Sequence, residues 1–451
     1  MTAADDPVTA FLEAACVPLD AAHVSGTLDR GESILAAHPD LASRDIHVAA
    51  VLGDEAAVQR FLALDAGNAT AKGGPRGWDA LTYLCFSRYL RLDRSRSDGF
   101  VRAARALIEA GASASTGWTD GTHQPHPEWE SVLYGAAGIA HHAELTRLLL
   151  ECGADPNDEE TPYHAPETYD NDAMKVLVES GRLTGESLAT MLLRKADWHD
   201  HDGLKWLLEH GADPNRMTRW GKTAFHQAVL RDNSLQTIHT LVDHGANPAL
   251  SANGASVTAI AARRGRGDIL EVFARRGIPI DLDGVDRLLA ACARNDEDAL
   301  RTLVGREPHL VEALVAHGGT HLAEFAGNGN SDGVRHLLDL GVAVDSVHEH
   351  GDGYFGVAKN STALHVAAWR AWPPTVKLLI ERGAPIEARD GHGRTALALA
   401  VRACVDSYWT YRRSPESVEA LLRAGASVGG VGYPSGYGDV DELLARHQPR
   451  T

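Results

Sequence analysis

The chain has 451 residues, 44% of them hydrophobic and 23% charged, which is enough apolar material for a buried core. Forty-three Lys and Arg against 61 Asp and Glu leave a formal net charge of −18, a field that repels nucleic acid and anionic membrane surfaces and excludes both as expected partners. The N-terminal MTAADDPVTAFLEAACVPLD carries acids where a secretory signal carries bases, and no later window reaches the ~18 consecutive apolar residues of a membrane span. Cys16, Cys85, Cys152, Cys292 and Cys404 are scattered and form no CxxC, which argues against a disulfide framework and a structural zinc. A cytoplasmic protein with reduced thiols and no cofactor is expected.

Read in chain order, IHVAAVLGDEAAVQRFLAL from Ile46 and GWDALTYL from Gly77 show the rhythm of short paired helices. A glycine-led pentapeptide then recurs, as GASAS at Gly111, GADPN at Gly153 and Gly211, GANPA at Gly245 and GIPID at Gly277. Further copies follow as GVAVD at Gly341, GAPIE at Gly383 and GASVG at Gly425. Between Gly211, Gly245 and Gly277 the spacings are 34 and 32, and Gly341 lies 64 residues on, two units of 32. A second motif opens the units, reading TPYHA at Thr161, TAFHQA at Thr223, TALHVA at Thr362 and TALALA at Thr395.

This sequence resembles the ankyrin repeat, a 33-residue unit of a hairpin-like turn and two antiparallel helices with a T-P-L-H-x-A signature. The resemblance implies an all-α fold, an ankyrin-repeat α-solenoid of about eleven or twelve units. Residues 1–66 read as divergent N-terminal repeats or a cap, 67–277 as repeats with insertions, 278–340 as degenerate repeats and 341–451 as repeats with insertions plus a C-terminal cap. It also gives His164, His226 and His365 a structural role, because the signature histidine bridges neighbouring turns. Gly221-Lys222-Thr223 has the letters of a phosphate loop, but Arg216 stands where GxxxxGK[ST] needs its first glycine. The tripeptide is therefore expected to start a repeat helix, with Thr223 as its cap.

The departures from the repeat carry the functional expectation. Insertions at 87–99 and 404–417 fall between the helices of a unit, and those at 116–130 and 347–360 fall in the finger before the first helix. Long loops rich in aromatic residues suggest function rather than disorder. The repeat register places Trp78, Arg219, Trp220, Arg231, Trp369, Arg370 and Arg402 on the concave face, and the insertions add Trp118, Trp129, His348, His350, Tyr354 and Trp409. Trp372, followed by Pro373 and Pro374, completes a candidate site in the C-terminal repeats. Tryptophan and arginine are the residue types that dominate binding hot spots. The leading expectation is a non-enzymatic scaffold that holds a protein partner through its groove and inserted loops. The alternative is a small-molecule binder or enzyme, with the loops closing a pocket over an aromatic or anionic ligand. A third reading has some of these tryptophans simply packing beneath the loops.

Other chemistry is weaker. The His199/His201, His123/His126 and His348/His350 pairs have metal-like spacing without a third ligand in sight, and no metal is expected. Glu128 with Glu130, and Glu349 with Asp352, could do acid or base work only if they shared a pocket. GNSDG at Gly329 and GASVG at Gly425 match GxSxG by letter but lack the strand before and helix after that a nucleophile elbow needs. Arg264 lies in a unit without an insertion and is expected to stand apart from any site.

Overall fold

A computed structural model describes residues 6–19, 26–122 and 127–447. Short helices follow one another in antiparallel pairs along the chain, and among the described residues the strands are three two-stranded hairpins: β1 (Gly117–Asp120) with β2 (Glu128–Ser131), β3 (Ser251–Ala252) with β4 (Ala255–Ser256), and β5 (Val347–His348) with β6 (Ser361–Thr362). All three are antiparallel.

One repeat shows why the sequence folds this way. The inner helix Ala224–Leu230 starts where Thr223 turns its hydroxyl onto the His226 N–H while the His226 ring accepts from the Thr223 N–H, a reciprocal cap. Gly221 and Lys222 lie in the preceding turn, closed by Thr218 N–H to Lys222 O (3.0 Å), so no phosphate loop exists here. Ala224 to Val229 are all buried, since this helix packs between its neighbours. Most companion repeat helices are amphipathic and end in a left-handed glycine. At Gly211 (φ +95°) the chain reverses and Ala212 N–H returns to Leu207 O at 3.0 Å, a geometry that a side chain at position 211 would strain. The same pair of devices recurs at Thr362 with His365, whose Nδ1 accepts from the Thr362 N–H (3.1 Å) and whose Nε2 donates to Ala388 O (2.9 Å). His226 and His365 are accordingly buried side chains engaged in caps. Ser331 of GNSDG stands in the first turn of helix Ser331–Asp339 and meets the Thr375 hydroxyl at 2.8 Å, a structural setting.

The chain divides into two compact units, one of Met1–Arg231 with Thr240–Ala246 and one of Asp232–His239 with Asn247–Thr451. In the first, stacked helix pairs support the β1–β2 hairpin. In the second, the pairs support the β5–β6 finger and the insertion after helix Ala396–Asp406. None of the five cysteines is joined in a disulfide. Among the described residues no helix is long and apolar enough to cross a membrane.

Candidate functional site

In the second unit the two insertions meet. The finger beyond β5 folds back through reciprocal N–H···O bonds between Asp352 and Val357, 2.8 Å each, which turns Phe355 inward and leaves Tyr354 outside. The other insertion runs on from helix Ala396–Asp406 and buries Trp409. Phe355 and Trp409 stack at 5.9 Å, Trp369 meets Trp409 edge-on at 6.2 Å, and the Trp369 indole N–H donates to Phe355 O at 2.5 Å.

Beneath these rings lies a buried charge network. The Arg370 guanidinium sits 4.3 Å from the Phe355 ring centre and 4.9 Å from that of Trp409, and its Nη1 pairs with Asp232 at 2.8 Å. Asp232 also takes a two-pronged contact from Arg264, at 3.1 and 2.9 Å, and Arg264 reaches Glu324 at 3.1 Å. His348 Nε2 stands 3.5 Å from the other Glu324 oxygen. Burial by itself would raise the Asp232 pKa, but Arg264 and Arg370 outweigh it and hold the carboxyl well below the usual range. Glu324 is lowered for the same reason: Arg264 overcomes its burial. Arg264, expected to stand apart, is thus the centre of the network.

This arrangement corrects the picture of an open groove. Trp369 is 9% exposed and Arg370 3%, so both are enclosed by the loops instead of displayed. Trp409 and His348 are buried with them, and His348 accepts from the Gly351 N–H at 3.1 Å while His350 faces solvent, so the two histidines do not converge. Trp372 donates to Gly327 O at 2.7 Å under the Arg412 guanidinium, and Arg402 lies over Trp369 at 5.1 Å, paired with Asp406. What these insertions present outward is tyrosine: Tyr354 is 42% exposed, Tyr408 59% and Tyr411 80%.

The first unit carries its own aromatic run. Ring centres pass from Trp118 to Trp78 (5.3 Å), Phe86 (5.6 Å), Tyr134 (6.0 Å), His164 (5.2 Å), Tyr163 (4.8 Å) and Trp220 (5.4 Å). Trp78 and Trp118 therefore touch, whereas Trp129 points away and is exposed. Arg219 covers the Trp220 ring and pairs with Glu159 at 2.5 Å, and Arg231 pairs with Asp197 at 2.8 Å. Strand alternation puts Trp118 and Asp120 on the same hairpin face as Glu128 and Glu130, their partners in register. Carboxylate oxygens of Glu128, Glu130 and Glu160 lie within 4.8 Å of one another. Burial, then the charges of Glu160 and Asp120, push the Glu130 pKa up to about 8. His164 contacts Glu160 at 3.0 Å and Glu167 at 2.7 Å, so in place of the reciprocal cap made by His226 and His365 its ring pairs with carboxylates of this region.

The His199/His201 pair is not a metal site. His199 forms a left-handed turn (φ +53°), His201 bonds the Thr240 hydroxyl at 3.0 Å, and Asp200 caps the helix that follows while holding the buried Lys195 at 2.7 Å. His123 and His126 lie outside the described residues. A cleft of about 250 Å³ in the first unit, lined by Asn157, Glu159, Thr184 and Arg219 among others, involves none of the residues of 347–360 or 404–417.

Residues 189–284 match the family model described as ankyrin repeats in three copies, and residues 359–391 match that of a single ankyrin repeat. The chain is an ankyrin-repeat protein. Among curated proteins this ankyrin chain is 24% identical over 294 residues to the human transient receptor potential cation channel subfamily A member 1, covering 57% of the chain and 24% of the channel. It is 26% identical over 257 residues to the E3 ubiquitin-protein ligase KEG of Arabidopsis thaliana, covering 50% of the chain and 15% of the ligase. The chain thus spans about a quarter or less of the length of these relatives. Among solved structures, the human ASB11 ankyrin repeat domain is 22% identical, with 59% of this chain and 98% of that one covered and a TM-score of 0.27.

The repeat register missed Asp232, Glu324, Phe355 and the role of Arg264, because each is set by a partner about 15 to 140 residues away. Glu160 was findable. It immediately precedes Thr161 as Glu130 precedes Ser131, the same position in successive repeats, and stacking brings such positions side by side.

Proposed function

Ankyrin repeats generally mediate protein–protein interaction, and we propose that this chain binds a protein partner through the tyrosine-bearing tips of its two C-terminal insertions. The observation that carries the reading is the split within each loop. Phe355 and Trp409 face inward onto Arg370, while Tyr354, Tyr408 and Tyr411 face solvent on the same loops. Tyrosine offers a large amphipathic contact at a cost of only two torsions, and a loop anchored from beneath loses little further entropy when bound. The buried Trp369 and Arg370 then act as the foundation of the surface and not as its contacts.

A photo-crosslinking residue in place of Tyr408 should yield a discrete protein adduct in cell extract, and the adduct should disappear when Tyr354 and Tyr411 are both changed to alanine. The same probe at the exposed Leu64 of the first unit is the reference. Identical adducts at both positions, or none at 408, would reject the reading.

A further inference from the structure

The carboxylates under the β1–β2 hairpin are not explained by partner binding through the second unit. Glu130 is 1% exposed and Asp120 2%, and Glu160 is also buried. Charges of Glu160, Asp120 and Glu128 all bear on Glu130, opposed by the imidazole of His164. Yet Glu130 Oε2 is sealed from water and makes no hydrogen bond, and the Trp118 Nε1 on the same hairpin face is likewise sealed and unbonded. A buried acceptor of this kind costs about 1–3 kcal/mol, and more if it is charged, unless something fills the space before it. Three oxygens no more than 4.8 Å apart in an even triangle are equidistant from a point at most about 2.8 Å from each, close to the ~2.3–2.6 Å of calcium–oxygen bonds. Magnesium, at about 2.0–2.1 Å, would need a larger collapse of the same cluster.

We infer that Glu128, Glu130 and Glu160 form a binding site for a calcium-sized divalent cation between the β1–β2 hairpin and the following repeat. The ion draws the three carboxylates together and supplies Glu130 Oε2 with the partner it lacks. A partner's lysine or a polyamine does not fit this site as well, because Glu130 and Asp120 are almost wholly withdrawn from solvent. The site also ties β2 to helix Glu160–His164, so occupancy fixes the hairpin on the next repeat.

The test is calorimetric titration of the full chain, stripped with chelator, with calcium chloride, and in parallel with magnesium chloride and spermidine. One equivalent of calcium should bind, and Glu130→Gln and Glu160→Gln should each weaken it at least about tenfold with circular dichroism unchanged. Glu128→Gln, at a half-buried position, is the variant to rely on if either of the others fails to fold. Glu159→Gln, an exposed neighbour, should bind as the parent does. No saturable calcium binding, equal binding in all four variants, or binding of magnesium or spermidine in place of calcium would each overturn the assignment.

Discussion

Asp232 and Glu324 in the second unit and Glu130 and Glu160 in the first are all withdrawn from water beneath an inserted loop, but their surroundings are opposite in sign. The second unit matches two carboxylates with Arg264 and Arg370, and both acids stay ionised. The first sets carboxylate against carboxylate, and Glu130 is driven toward its neutral form. A buried pair with good geometry holds parts of a fold together, whereas a buried like-charge cluster costs stability and is retained where something else uses it.

The sharpest way to break this contrast is Arg264→Ala. It strips Glu324 of its arginine and leaves Asp232 to Arg370, and should cost about 3–5 kcal/mol, read by denaturant unfolding, with hydrogen exchange quickening across residues 347–360. Acid gives an independent route to the same network. Asp232 has a folded-state pKa below its unfolded value near about 4, so its contribution is complete above that value and is lost as pH falls below it. Stability measured from pH 6 downward should therefore fall less steeply in Asp232→Asn, which starts lower but has no such group to protonate.

The repeat caps should behave alike in both units and so calibrate the comparison. His226→Ala and His365→Ala should each lose about 1–3 kcal/mol, since each breaks a buried reciprocal cap, and in the second case also the bond to Ala388 O. The first unit's acids should respond with the reverse sign. In chelator at neutral pH, Glu130→Gln should raise stability by about 1–2 kcal/mol, because the parent carboxyl must take up a proton on burial and the amide keeps the shape without that cost. A fall of that size would mean that the cluster resembles the second unit's network after all. The smallest effect belongs to the surface. Tyr354→Ala, Tyr408→Ala and Tyr411→Ala should each stay within about 0.5 kcal/mol of the parent in thermal unfolding, even where they abolish crosslinking.

The repeat period and the T-x-x-H starts made the helix pairs legible, because each rests on contacts within one unit, such as Thr223 with His226. The meeting of the finger and the inter-helix insertion was also legible, since successive units stack. The direction of the side chains was not. Trp369 and Arg370 occupy groove positions by register, but the inserted loops supply Phe355 and Trp409 as a roof, and register contains no information on what an insertion covers. Arg264 and Asp232 are 32 residues apart in units that look ordinary by sequence, so their pairing is set by stacking alone.

The inward and outward halves of the second unit's loops also face different constraints over evolutionary time. Arg264, Asp232, Glu324 and Arg370 depend on one another, so a change at one is tolerated only with a compensating change elsewhere, and such paths are narrow. Tyr354, Tyr408 and Tyr411 stand on that fixed base with their exposed faces outside the network, so each can be exchanged singly. A lineage carrying this base could change what it recognises, one tip at a time, without first finding new stability.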